Sequence, residues 1–64
     1  ERLTPHEVRL LKLLSEGHSY LSAGGELGIT INTVRNYIRS IYEKLHVHSK
    51  SEAVSKALKS RLIS

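Results

Sequence analysis

Apolar residues recur along the chain every three or four positions, in four blocks separated by short polar or glycine-containing turns, and this periodicity predicts four helices. The first block carries Val8, Leu11 and Leu14, with Leu10 and Leu13 beside them, a broad apolar face. Its start is doubly marked. Thr4 can cap with Glu7 three residues on, the spacing of a capping box, and Pro5 suits the first helical position. The helix is expected to run to about Glu16, with Gly17 as its stop. Ser19 can cap a second, shorter helix that ends at about Leu27 before Gly28. Gly24 and Gly25 each weaken that helix by about 1 kcal/mol relative to alanine, so it depends on tertiary packing. Two readings of the pair stay open, a close helix approach and a locally loose helix.

Thr30 is the expected cap of the third and longest helix, from about Ile31 to His46. Val34, Ile38, Ile41 and Leu45 recur in steps of four, three and four and define one buried stripe. At roughly 100° per residue, Asn32, Arg35, Asn36, Arg39 and Glu43 fall on the other side, which is polar and basic in its N-terminal half. The fourth helix is expected over about residues 49 to 62, with Ser49 and Glu52 as a second capping box and Ala53, Val54, Ala57, Leu58 and Leu62 as its apolar residues. It closes the core from one side.

Length allows a single domain over residues 1–64, all-α, with a small core. There is no cysteine, which rules out a disulfide framework and a thiolate zinc site, so helix packing has to hold the fold. Apolar runs never exceed two residues, so no membrane span is expected, and no signal peptide is discernible; a reducing cytoplasm is the expected compartment. Ten Lys and Arg against six Asp and Glu leave a formal charge of +4, which favours polyanionic partners.

Placement of that charge narrows the reading. Two helices joined by a turn at Gly28, the second with one apolar stripe and one basic polar face, make the helix-turn-helix pattern. A major groove about 12 Å wide admits one helix, whose N-terminal side chains reach base edges. Arg35 and Arg39, four apart, can point into the groove together, and guanidinium matches the O6 and N7 acceptors of guanine. Asn36 can pair with adenine or bind a phosphate. Thr30, Asn32, Thr33, Tyr37, Ser40 and Lys44 are placed for phosphate or sugar contacts, which orient without reading sequence. Tyr37 and Tyr42 flank the apolar stripe as half-buried packing residues, and only Tyr37 lies near enough to the basic end to touch phosphate.

Several short motifs together resemble the LuxR-type, or GerE-like, helix-turn-helix domain of bacterial response regulators similar to NarL. They are Leu3-Thr4-Pro5 with Glu7 and Val8, Leu13-Leu14-Ser15-Glu16-Gly17, Glu26-Leu27-Gly28-Ile29, Thr33-Val34 followed by a basic residue and Asn36, Ile41-Tyr42-Glu43-Lys44-Leu45, and Ser49 with Glu52-Ala53-Val54. The resemblance covers nearly the whole chain. It implies a four-helix domain whose third helix is the recognition helix, with base contacts from Arg35, Asn36 and Arg39 and backbone contacts from Thr33, Tyr37 and Lys44. It also implies a homodimer on double-stranded DNA formed by the fourth helix, through Glu52, Ala53, Lys56, Ala57 and Ser60, and control by an N-terminal receiver or sensor domain. RNA polymerase is a further expected partner, and no cofactor is implied. The chain departs from the family pattern at Ala23, where a bulky aliphatic residue is common, at Gly25, where a charged one is frequent, and at Tyr37, often a histidine.

Other classes fit less well. An enzyme would need a convergent nucleophile, base or metal site, and Ser and His lack a supporting third group. His46 and His48 could supply only two metal ligands and read better as turn residues. A helical protein-interaction module docking an acidic partner is the alternative from another class. The fourth region of a sigma factor is the nearer one, and the Leu3-Thr4-Pro5 start and the helix after Ser49 weigh against it.

Overall fold

Side-chain oxygens start all four helices of the computed structural model, which describes residues 2–63. The helices are α1 (Pro5–Ser15), α2 (Tyr20–Leu27), α3 (Ile31–Leu45) and α4 (Lys50–Lys59). Backbone N–H groups of Glu7, Ser22, Thr33 and Glu52 donate to the hydroxyls of Thr4, Ser19, Thr30 and Ser49 at 3.1 to 3.3 Å. Each such cap stabilises its helix by about 1 kcal/mol, because the first N–H groups have no partner within the helix. At α1 the capping box is complete, with the Thr4 N–H donating back to Glu7 Oε1 at 2.8 Å. At α4 it is only half-formed, since the Glu52 carboxylate takes the N–H of His48 (3.1 Å) instead of that of Ser49.

All four helices end in the same way. A residue in the left-handed region reverses the chain, and the next N–H donates back across the last turn: His18 to Leu13 O (3.1 Å), Ile29 to Gly24 O (2.9 Å), Val47 to Tyr42 O (3.0 Å) and Leu62 to Ala57 O (2.8 Å). Glycine holds the reversing position after α1 and α2, but His46 (φ 57°) and Arg61 (φ 58°) hold it after α3 and α4. The reversal at Arg61 corrects the expected span of the last helix. It ends at Lys59, not about Leu62; Leu62 is left 37% exposed and Ile63 is turned into the core.

The core consists of Leu10, Leu11 and Leu14 from α1, Ala23 from α2, the expected stripe Val34, Ile38, Ile41 and Leu45 from α3, and Ala53 and Ala57 from α4, closed by Val47 and Ile63. On α1 the inward face is centred on Leu10 and Leu11, while Val8 and Leu13 are half-buried at its margins. α1 and α3 each pack against every other helix, whereas α2 and α4 do not meet. Ala53 and Ala57 are fully buried, so they cannot form the outer, pairing surface expected of them. Their methyl groups are small enough to let α4 lie close against α1 and α3, which is the reason they face inward.

Candidate nucleic-acid interface

The α2–α3 pair is locked by a single close approach. An added Cβ on Gly24 would lie 3.0 Å from the Ile29 carbonyl oxygen and 3.1 Å from a Val34 methyl, so only glycine lets α2 sit this near the turn and the start of α3. Gly25 has nothing within 4 Å of such an atom. Of the two readings of the glycine pair, close approach therefore holds at Gly24 and has no part at Gly25. Behind them, Tyr20 of α2 meets Tyr42 of α3: burial, then the neighbouring Tyr20 phenol, push the Tyr42 hydroxyl up to about 12. With α2 packed against the turn and Thr30 capping, the N-terminal half of α3 is positioned at the surface.

That half presents Asn32, Arg35, Asn36 and Arg39 as exposed side chains on one face. Arg35 and Arg39 are one helical turn apart, and among the described residues no ion pair engages either guanidinium. Glu43 continues the same face one turn beyond Arg39 and is also exposed, so the positive potential stops there. Thr30 is exposed, Thr33 is half-buried, and their hydroxyls lie 3.1 Å apart.

Lys44 and Ser40 are placed differently from the expectation that they meet phosphate. The Lys44 ammonium donates to Glu7 Oε1 at 2.9 Å, and both side chains are largely withdrawn from solvent, with 17% and 3% of their surfaces accessible. Burial pushes the Glu7 carboxyl up, but hydrogen bonds from Lys44, Ser40 and the Thr4 backbone, with the Lys44 charge, outweigh it and hold the group below its ordinary value. Glu7 thus ties the start of α1 to the second half of α3. It reads in sequence only as a cap, and its partner lies 37 positions away, so no local signal pairs them.

His6 is a second residue without a signal. From α1 its ring stacks on that of Tyr37, centroids 6.0 Å apart and planes 30° apart, so the half-buried Tyr37 is buttressed beside the basic face. His46 and His48 are exposed around the turn after α3, and among the described residues no group of three His, Cys, Asp or Glu side chains could hold a metal ion. Nor is any helix among them long and apolar enough to cross a membrane.

The family model described as bacterial regulatory proteins of the luxR family matches residues 1–57. The chain belongs to the luxR family. Among its relatives, the HTH-type transcriptional activator RamA of Corynebacterium glutamicum is 38% identical over 56 residues, 88% of this chain and 20% of RamA. The transcriptional regulatory protein LiaR of Bacillus subtilis is 38% identical over 63 residues, 98% of this chain and 30% of LiaR. DesR of the same organism, also a transcriptional regulatory protein, is 40% identical over 55 residues, 86% of this chain and 28% of DesR. A crystal structure of the response regulator ChrA, from a heme-sensing two-component system, superposes with a TM-score of 0.93 at 32% identity, over 98% of this chain and 31% of that one. The chain thus spans less than a third of the length of these relatives. The luxR-family assignment and the four-helix architecture agree with the resemblance read from the motifs.

Proposed function

We propose that this luxR-family domain binds double-stranded DNA as the output unit of a longer transcriptional regulator, with α3 in the major groove. The observation that carries the reading is the exposed face of α3, where Arg35, Asn36 and Arg39 stand together with no ion pair among the described residues engaging either arginine. In the groove, Arg35 and Arg39 donate in pairs to guanine and Asn36 exchanges hydrogen bonds with adenine. Thr30, Asn32, Thr33 and Tyr37 border that face and take phosphate or sugar, orienting the helix without reading bases. Ser40 and Lys44 act through Glu7, keeping α3 in register on α1.

Dimerisation on DNA belongs to the outer side of α4. Ser51, Ser55 and Leu58 recur there in steps of four and three and are exposed, as are Glu52, Lys56 and Ser60. Leu58, 48% exposed, is the apolar anchor of such a contact, with the two serines permitting close approach of a second α4 across a two-fold axis. Half-sites related by the same axis follow. A receiver or sensor domain controls the pairing, a reading supported by the greater length of the relatives, of which this chain covers less than a third.

The test is an anisotropy titration of the domain into a random-sequence duplex at several salt concentrations, with Arg35→Ala and Arg39→Ala beside it. Log affinity should fall against log salt by about 0.9 per phosphate neutralised, and both substitutions should weaken binding while leaving the melting temperature unchanged. Binding that ignores salt and both arginines would exclude α3 as the DNA-facing element.

A further inference from the structure

A second surface lies away from α2 and α3. Between the start of α1 and the chain that follows α4 runs an open groove, to which neither helix of the helix-turn-helix contributes a residue. Its floor is apolar, made by Val8, Leu62 and Ile63, and its rim is cationic, made by Arg9, Lys12 and Arg61. No acidic side chain lines it among the described residues.

Arg61 sharpens the observation. It occupies the left-handed position that ends α4, which costs a side-chain-bearing residue about 1 kcal/mol or more and which glycine fills after α1 and α2. A cation near the last carbonyls of a helix is favourable, and Lys59 supplies one in the last turn, while the Lys56 ammonium donates instead to the Leu45 carbonyl at the end of α3. The strained position carries a further positive charge, and that charge sits on the rim of the groove.

We infer that this groove is a docking site for an acidic amphipathic peptide segment of another protein, occupied while α3 is on DNA. Apolar side chains of the segment fill the floor over Val8, Leu62 and Ile63, and its carboxylates meet Arg9, Lys12 and Arg61. A second copy of this groove fits poorly, because the two rims would bring like charges together. A nucleic-acid backbone would satisfy the rim but leave the apolar floor without a partner.

The experiment uses a fluorescein-labelled amphipathic peptide of leucine and glutamate at helical spacing, and a control with lysine in place of glutamate, each titrated with the 64-residue domain. The acidic peptide should bind saturably, the basic one at least tenfold more weakly, and a saturating random duplex should not displace it. Arg61→Gly keeps the left-handed turn while removing the guanidinium; it should weaken the peptide about threefold, the size expected of one exposed ion pair, with DNA affinity and folding retained. Arg9→Gln together with Arg61→Gly should weaken it further. Amide shifts on peptide addition should centre on Val8, Leu62 and Ile63. Displacement by DNA, equal binding of the basic peptide, insensitivity to Arg61→Gly, shifts centred on Arg35 and Arg39, or no saturable binding each overturns the proposal.

Discussion

Removing the Glu7 carboxylate should cost this domain a large part of its stability without touching the exposed face of α3. In Glu7→Ala the return half of the capping box is lost, worth up to about 1 kcal/mol, and the Lys44 ammonium is stranded where only 17% of its side chain meets solvent. A fully buried pair broken on one side costs about 3–5 kcal/mol; partial access for Lys44 lowers that, and roughly 2–4 kcal/mol in all is expected. A domain of this size has roughly 3–10 kcal/mol in total, so the melting temperature should drop by about 10–25 °C. Lys44→Met should cost less, since Glu7 keeps the Thr4 N–H at 2.8 Å and the Ser40 hydroxyl. Urea denaturation followed by circular dichroism on both single variants and the double variant closes a cycle whose coupling should be at least about 1 kcal/mol. The pH dependence has a definite sign. Because the folded carboxyl sits below its ordinary value of 4.5, its stabilisation is complete above that pH and is lost as pH falls through the lower, folded value. The gap between the native protein and Glu7→Ala should therefore narrow below about pH 4.5. Additive single effects, together with a gap that stays constant into acid, would refute the ion pair as the tie between α1 and α3.

The two adjacent glycines should respond with opposite signs: Gly25→Ala, with open space around the new methyl, should gain about 1 kcal/mol from helix propensity, whereas Gly24→Ala should lose stability by collision with the Ile29 carbonyl, both read from urea midpoints. A stabilising Gly24→Ala would mean that α2 can move away from the turn at no cost. His46→Gly should raise the melting temperature, by the several degrees that correspond to about 1 kcal/mol, because it relieves the left-handed backbone that ends α3. For Tyr42, whose folded value is raised from 10.0 to about 12, the unfolded chain releases its proton first, so stability should fall as pH rises between those values. Tyr42→Phe should flatten that alkaline decline, and a decline of unchanged size would assign it to another group.

Local chemistry in the sequence was sufficient for where the helices begin. Thr4, Ser19, Thr30 and Ser49 are caps because an N-terminal turn needs acceptors for its free N–H groups, and all four hydroxyls take the N–H three residues on. The apolar stripe of α3 was equally legible, since a period of 3.6 residues makes burial at Val34 predict burial at Ile38, Ile41 and Leu45. By subtraction the same period exposes Arg35, Asn36 and Arg39. What tertiary structure alone decided are the cases where one position had two physically sound uses. Lys44 lies at the edge of the polar face and was free to meet phosphate until Glu7 arrived from α1. Ala53 and Ala57 suit a helix pairing surface and a tight interior alike, and the packing of α4 against α1 and α3 chose the interior. Gly24 and Gly25 are the same residue in the same helix, told apart only by the Ile29 carbonyl and the Val34 methyl that stand beside one and not the other. The end of α4 is of this kind too, because a helix through Leu62 satisfies the local pattern, and only the gain from turning Ile63 into the core offsets a left-handed Arg61. Periodicity and capping act over one or two turns, and the sequence writes them openly; contacts between segments far apart in the chain leave no such mark, because either partner alone is compatible with several neighbours.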